Sequence, residues 1–140
     1  SVPVNHPPVV QMLSASLMVP DPPEVEAHLE YLTTDPYAVR LLFGARCTLG
    51  ETPIAWVFAR QLLAEGLVAD AGQGDVRVRP HGPGQTAVEL RSPTGCAVVT
   101  IGTRGIRTFL TASHQAVPPG SEDLLIDWDR VLTELLTPRP

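Results

Sequence analysis

Cysteine and histidine are the side chains best able to do covalent or metal chemistry in this chain, and their spacing scatters them. The 140 residues include Cys47, Cys96, His6, His28, His81 and His114. A zinc or redox site legible in sequence needs thiols or imidazoles at convergent spacing, as in Cys-x-x-Cys or His-Glu-x-x-His. Neither pattern occurs. A serine nucleophile would need a presenting turn such as Gly-x-Ser-x-Gly and a base within reach, and that elbow is missing too. Gly72/Gly74 and Gly82/Gly84 lack the lysine and the glycine pattern that cradle phosphates, so both read as hairpin turns. The expectation is a protein without catalysis, cofactor or metal, whose cysteines are reduced thiols rather than a single disulfide.

What remains is chemistry of recognition. Asp75, Arg77 and Arg79 alternate on one face of a strand. They read as a solvated face with cross-strand ion pairs to neighbours such as Glu89 or, alternatively, as a polar recognition surface. Arg104 and Arg107 lie i, i+3 on a helix opposite its apolar stripe, either as a wet face or as a docking patch for an acidic partner. Arg40 and Arg60 are expected among the exposed residues available to a partner. Trp128 and Leu132 fall on the apolar stripe of a terminal helix and are candidates for an oligomer interface.

Charge and composition narrow the classes. Net charge is −5, with ten basic residues against fifteen acidic ones. That average opposes a general cationic footprint for nucleic acid or anionic lipid. Every basic residue is arginine, a bias that a GC-rich genome produces, so arginine counts carry little weight. The chain is 44% apolar, which suits one folded domain with its own core. No apolar run approaches the ~20 residues that span a bilayer, and the N-terminus lacks the basic and apolar regions of a signal peptide.

The elements that must carry these residues follow from periodicity. A Pro-rich, poorly ordered start over 1–8 precedes a single domain over 9–137. Residues 9–19 are apolar on both parities and read as a strand buried on much of both faces. Residues 24–31 alternate, with Val25, Ala27, Leu29 and Tyr31 inward and Glu24, Glu26, His28 and Glu30 outward. Tyr37, Val39, Leu41 and Phe43 form the core face of the next strand, with Arg40 opposite. The stretch 44–53 reads as a hairpin loop. A strand over 54–58 runs into a helix over 59–65, with Gly66 placed as a left-handed C-cap. Strands over 74–79, 86–91 and 96–101 follow. Thr103 is expected to N-cap a helix over 104–114 with Ile106, Phe109 and Leu110 inward. Asp127 is expected to N-cap a last helix bearing Trp128, Val131, Leu132, Leu135 and Leu136 on one side, stopped by Pro138. The fold class is therefore α+β and β-rich: two βββα halves forming a barrel-like antiparallel sheet pair, plus a C-terminal helix.

Several blocks carry a resemblance: Asp35-Pro36-Tyr37-Ala38-Val39, Trp56-Val57-Phe58-Ala59-Arg60, Leu62-Leu63-x-x-Gly66, Gly74-Asp75-Val76-Arg77-Val78, and the run from Ala116 to Glu122. Their order and content resemble the SsgA-like proteins of sporulating actinobacteria. The resemblance implies a protomer similar to the Whirly fold, a homotrimer, and a cytoplasmic protein at the division septum that has no catalytic activity. It also implies that the chain positions or recruits the tubulin-like protein FtsZ, with an SsgA-like paralogue as second partner and only indirect contact with membrane. The paralogue is left open, the SsgB type included; the 44–53 loop is longer than that type implies, and Gln61, where an Asp often follows the Arg60 block, and the Pro-rich start depart from the family pattern. The Whirly similarity alone would suggest a binder of single-stranded nucleic acid, an alternative that the net charge and the 5% aromatic content disfavour.

Overall fold

A computed structural model describes residues 7–22, 24–44 and 55–136. Residues 45–53 of the expected loop, Cys47 among them, Pro138 and most of the Pro-rich start lie outside the described residues. Seven strands form one antiparallel sheet: β1 (Val9–Leu17), β2 (Glu24–Tyr31), β3 (Ala38–Phe43), β4 (Ala55–Ala59), β5 (Val76–Pro80), β6 (Gln85–Ser92) and β7 (Gly95–Gly102). Three α-helices accompany them: α1 (Arg60–Gly66), α2 (Thr103–Ala116) and α3 (Trp128–Leu136). A 3-10 turn at Glu122–Leu125, which periodicity did not announce, leads into α3.

The spatial order β4-β3-β2-β1-β7-β6-β5 puts the first strand in the middle. The sheet curls into a nearly closed barrel around a core that includes Leu29, Tyr31, Val39, Val88, Ile101 and Phe109. The α+β, barrel-like expectation therefore holds. The strand count differs, because four strands precede α1 and three precede α2, all in one continuous sheet. In both halves a strand passes into a helix with no intervening loop, at Ala59–Arg60 and at Gly102–Thr103.

The two sheet edges, β4 and β5, do not pair with each other. Helix α1, continuous with β4, packs across to β5 and spans the gap. Edge strand β5 is further covered where Ala71 and Val78 exchange backbone hydrogen bonds of 2.9 and 3.0 Å. An unpaired edge is a template for unwanted association, and this short bridge blunts it.

Local expectations fail where the backbone chose another option. β1 is one-sided: Leu13 and Ala15 are buried while Val10 and Met12 face outward. Tyr37 precedes β3 instead of joining its core face, and is exposed. Gly66 ends α1 without left-handed geometry. It is needed for close approach, since a Cβ there would lie 2.3 Å from Val78 Cγ1. Thr103 is the first residue of α2, and the cap position is Gly102. The Thr103 hydroxyl meets that of Thr86 at 2.8 Å. The Asp127 cap is present, with its carboxylate accepting the Arg130 N–H at 3.0 Å.

Candidate partner-binding surfaces

Arg60 corrects the sequence reading most sharply. It was expected to be exposed and open to a partner, yet it is 2% exposed. Its guanidinium donates to the carbonyls of Ser113 (3.0 Å) and Val117 (2.9 Å) at the end of α2, and to Glu122 Oε2 at 2.9 Å. It also stacks over the Tyr31 ring, 4.7 Å from the centroid. One fork thus caps the last carbonyls of α2, pairs with a carboxylate and covers an aromatic face, uses to which a planar, permanently charged donor is suited. An enclosed guanidinium with all these partners offers nothing to another protein.

The cluster tunes its neighbours. Burial holds the Tyr31 phenol above the ordinary tyrosine value, with Arg60 opposing; its hydroxyl donates to the Pro36 carbonyl at 2.9 Å. Burial also lowers His114. For Glu122, burial pushes upward but is outweighed by the backbone N–H bonds and Arg60, so its carboxyl sits below the ordinary glutamate value. The buried side-chain nitrogens and oxygens of the described residues all have partners.

Beside this cluster, the exposed Tyr37 hydroxyl donates to Asp123 Oδ1 and ties the 3-10 turn to the start of β3. That bond, joined by burial and nearby carboxylates, pushes the phenol up to about 12. A group held protonated in the fold contributes stability below its unfolded value and loses it as pH rises through the folded one. The Tyr37–Asp123 contribution should therefore fade between the ordinary tyrosine value of 10.0 and about 12. In Asp123→Asn, tyrosinate absorbance should appear at lower pH than in the wild type; an unchanged titration would contradict the contact.

The other arginines differ in how far they are already engaged. Arg40 on β3 lies 3.6 Å from Glu30, which also has His28 at 3.6 Å. Arg77 and Arg91 flank Glu89 at 4.0 and 3.5 Å, so the expected cross-strand pairing to Glu89 is present. Asp75 is exposed beside this group, its backbone carbonyl accepting the Arg91 N–H at 2.8 Å. Such exposed pairs contribute at most about 1 kcal/mol each. Arg104 and Arg107 are exposed on the outer side of α2 and line a groove of about 820 Å³ between that helix and the 81–84 turn. These surfaces are separate patches, and the structure does not bring the six candidates into one site.

Helix α3 presents a row of exposed apolar side chains. None of its residues is buried. Trp128 is 49% exposed and Leu136 79%, with Leu132 and Leu135 between. Apolar side chains grouped on one side of a helix are uncommon on a free surface. Among the described residues no helix is long and apolar enough to cross a membrane.

The profile of the family described as "Streptomyces sporulation and cell division protein, SsgA" matches residues 25–122. The chain belongs to the SsgA family. Relatives include the sporulation-specific cell division protein SsgB of Streptomyces coelicolor, 45% identical over 80% of this chain and 82% of that one. SsgB of Saccharopolyspora erythraea is 42% identical over 86% of both chains. Two solved structures superpose closely. One comes from work on SsgB mutations that correlate with longitudinal cell division during sporulation of S. coelicolor (TM-score 0.77, 40% identity, 89% of this chain and 100% of that one). The other is an SsgA-like sporulation-specific cell division protein from Thermobifida fusca (0.79, 33%, 96% and 100%).

The blocks that carry the SsgA-like resemblance converge in space. Arg60, ending one block, binds Glu122, ending another, and its own N–H donates to the Tyr37 carbonyl of a third at 2.8 Å. Gly66 and Val78, from the remaining two, are in contact. The SsgA signature is thus a record of how the strand-to-helix corner is fastened. Sequence reasoning missed the Arg60–Glu122 pair; the co-occurrence of the two blocks was the available hint.

Proposed function

We propose that this chain is a non-enzymatic adaptor in sporulation-specific cell division, a cytoplasmic homotrimer that works at the septum by binding FtsZ and an SsgA-like paralogue. The observation that carries the reading is the shared description of relatives that match 80% or more of this chain. The geometry supports the adaptor part. The enclosed polar groups are engaged in fastening the fold, while Trp128, Leu132, Leu135 and Leu136 stay outside on α3. An apolar helix face of this kind fits protein–protein contact, and α3 is the surface we assign to self-association.

Sedimentation with FtsZ polymers, together with the mass of the purified protein by light scattering, tests the reading. Co-sedimentation and a trimeric mass are expected. The pair Trp128→Ala and Leu132→Glu should shift the mass to that of a monomer. A wild-type monomer that leaves FtsZ assembly unchanged would sink the proposal. Salt-sensitive binding to single-stranded DNA would favour the nucleic-acid alternative.

A further inference from the structure

The outer side of α2 carries an unusual charge arrangement. Arg104, Arg107, Thr108, Thr111 and Gln115 recur at i, i+3, i+4, i+7 and i+11, all exposed and opposite the buried Ile106, Phe109, Leu110 and Ser113. They form one wall of the 820 Å³ groove. The facing wall is the turn around Gly82 and Gly84, and Leu67 also lines the groove. That turn is pinned: the Thr103 N–H donates to the Gly84 carbonyl and the His81 N–H to the Gln85 carbonyl, each at 3.0 Å.

Among the described residues no carboxylate lines the groove, although acidic residues outnumber arginines fifteen to ten in the whole chain. Arg40, Arg60, Arg77, Arg91 and Arg130 each have a carboxylate within 4.0 Å. Among the described residues Arg79, Arg104 and Arg107 have none, and Arg104 and Arg107 are the two that share one groove. They also sit in the first half of α2, whose first turn holds no acidic residue, so like charge meets the positive end of the helix dipole. Carboxylates arriving from outside would relieve that arrangement, and guanidinium forks match them in geometry.

We propose that this groove binds an extended acidic peptide segment, with its carboxylates at the Arg104/Arg107 end and its backbone along Thr111 and Gln115. From residue 104 to residue 115 the helix advances about 17 Å, the length of roughly five extended residues. Nucleic acid is the less suitable occupant, because no aromatic side chain among the described residues lines the groove and single strands bind through stacking as well as charge. The proposal rests on the adaptor reading for the source of the segment, a division partner, while the binding chemistry stands independently.

The test measures anisotropy of a short fluorescent glutamate-rich peptide and of its glutamine counterpart on the full chain. The glutamate peptide should bind roughly ten-fold more tightly at low salt, with the difference shrinking as salt rises. Arg104→Gln with Arg107→Gln should abolish the difference, and Arg130→Gln should preserve it. Equal binding of both peptides, a preference that survives the double substitution, or tighter binding of a single-stranded oligonucleotide at these arginines would overturn the proposal. FtsZ sedimentation run in parallel separates the two ideas. Peptide discrimination without FtsZ binding removes the adaptor reading and leaves the groove. FtsZ binding without peptide discrimination removes the groove and leaves the adaptor.

Discussion

Arg60→Leu is expected to lower the free energy of unfolding by about 3–5 kcal/mol, the range for removing one partner of an enclosed ion pair. The substitution leaves the Glu122 carboxylate, 13% exposed, facing an apolar side chain. It also strips the Val117 carbonyl of its donor, leaves the Ser113 carbonyl to the Val117 N–H at 2.9 Å, and uncovers Tyr31. Unsatisfied buried acceptors carry their own desolvation penalty. Arg60→Lys should fall between wild type and leucine, because an ammonium keeps the charge but cannot present the fork to three oxygens at once. Urea unfolding of the variants checks both, and a loss under about 1 kcal/mol for leucine would contradict the assignment. The pH dependence has a definite sign. Glu122 is held below its ordinary value, so its contribution is complete above that value and disappears as pH falls through the lowered one. The gap between wild type and Arg60→Leu should narrow over the same acid range.

Gly66→Ala should also destabilise, against the usual trend. In an exposed helix interior, alanine in place of glycine stabilises by up to about 1 kcal/mol. Here the new methyl would lie 2.3 Å from Val78 Cγ1, 2.4 Å from its Cβ and 3.0 Å from its carbonyl carbon. Two of those atoms cannot swing away, so α1 must lift from β5 at the closure of the barrel. Overpacking of this kind costs about 1–3 kcal/mol, and the net expectation is a loss of about 2 kcal/mol, read as a lower melting temperature. Val78→Ala should rescue part of it, making the double variant more stable than the sum of the singles. Gly74→Ala serves as control, since a Cβ there meets nothing within 4 Å. An equal loss at Gly74 would refute the contact argument.

Where side-chain period alone decides structure, the sequence was readable. The alternation of β2 put Ala27, Leu29 and Tyr31 inside, and the stripe of α2 buried Ile106, Phe109 and Leu110 as expected. Period fails where a residue's surroundings come from distant chain. Arg60 follows a strand in which Ala55, Val57 and Ala59 are exposed, and nothing local reveals that residues 113–122 enclose it. Tyr37 has the parity of Val39 and Leu41, but pairing begins at Ala38, so its ring stays outside and its hydroxyl finds Asp123. Val10 and Met12 are apolar enough for a two-faced buried strand, yet only one face of β1 meets the core. Of the candidate surfaces, the amphipathic character of α3 was legible, whereas the lack of a covering element among the described residues was not. The arginines illustrate the same limit, since charge is written in the sequence and the partner that neutralises it is a property of the fold.

The central place of β1 has a consequence for how the chain reaches this state. The first four strands form a run of neighbours, each pairing with the next in sequence, and such short loops close rapidly. The other flank of β1 pairs with β7, where Ala15 meets Ile101 and Leu17 meets Val99. On a ribosome, β1 is made first and must hold one side unsatisfied until most of the domain has emerged. Two locally closed meanders awaiting one long-range seam is the pattern expected of a slow folder. During that wait the vacant side of β1 is the place where two nascent copies would join by mistake.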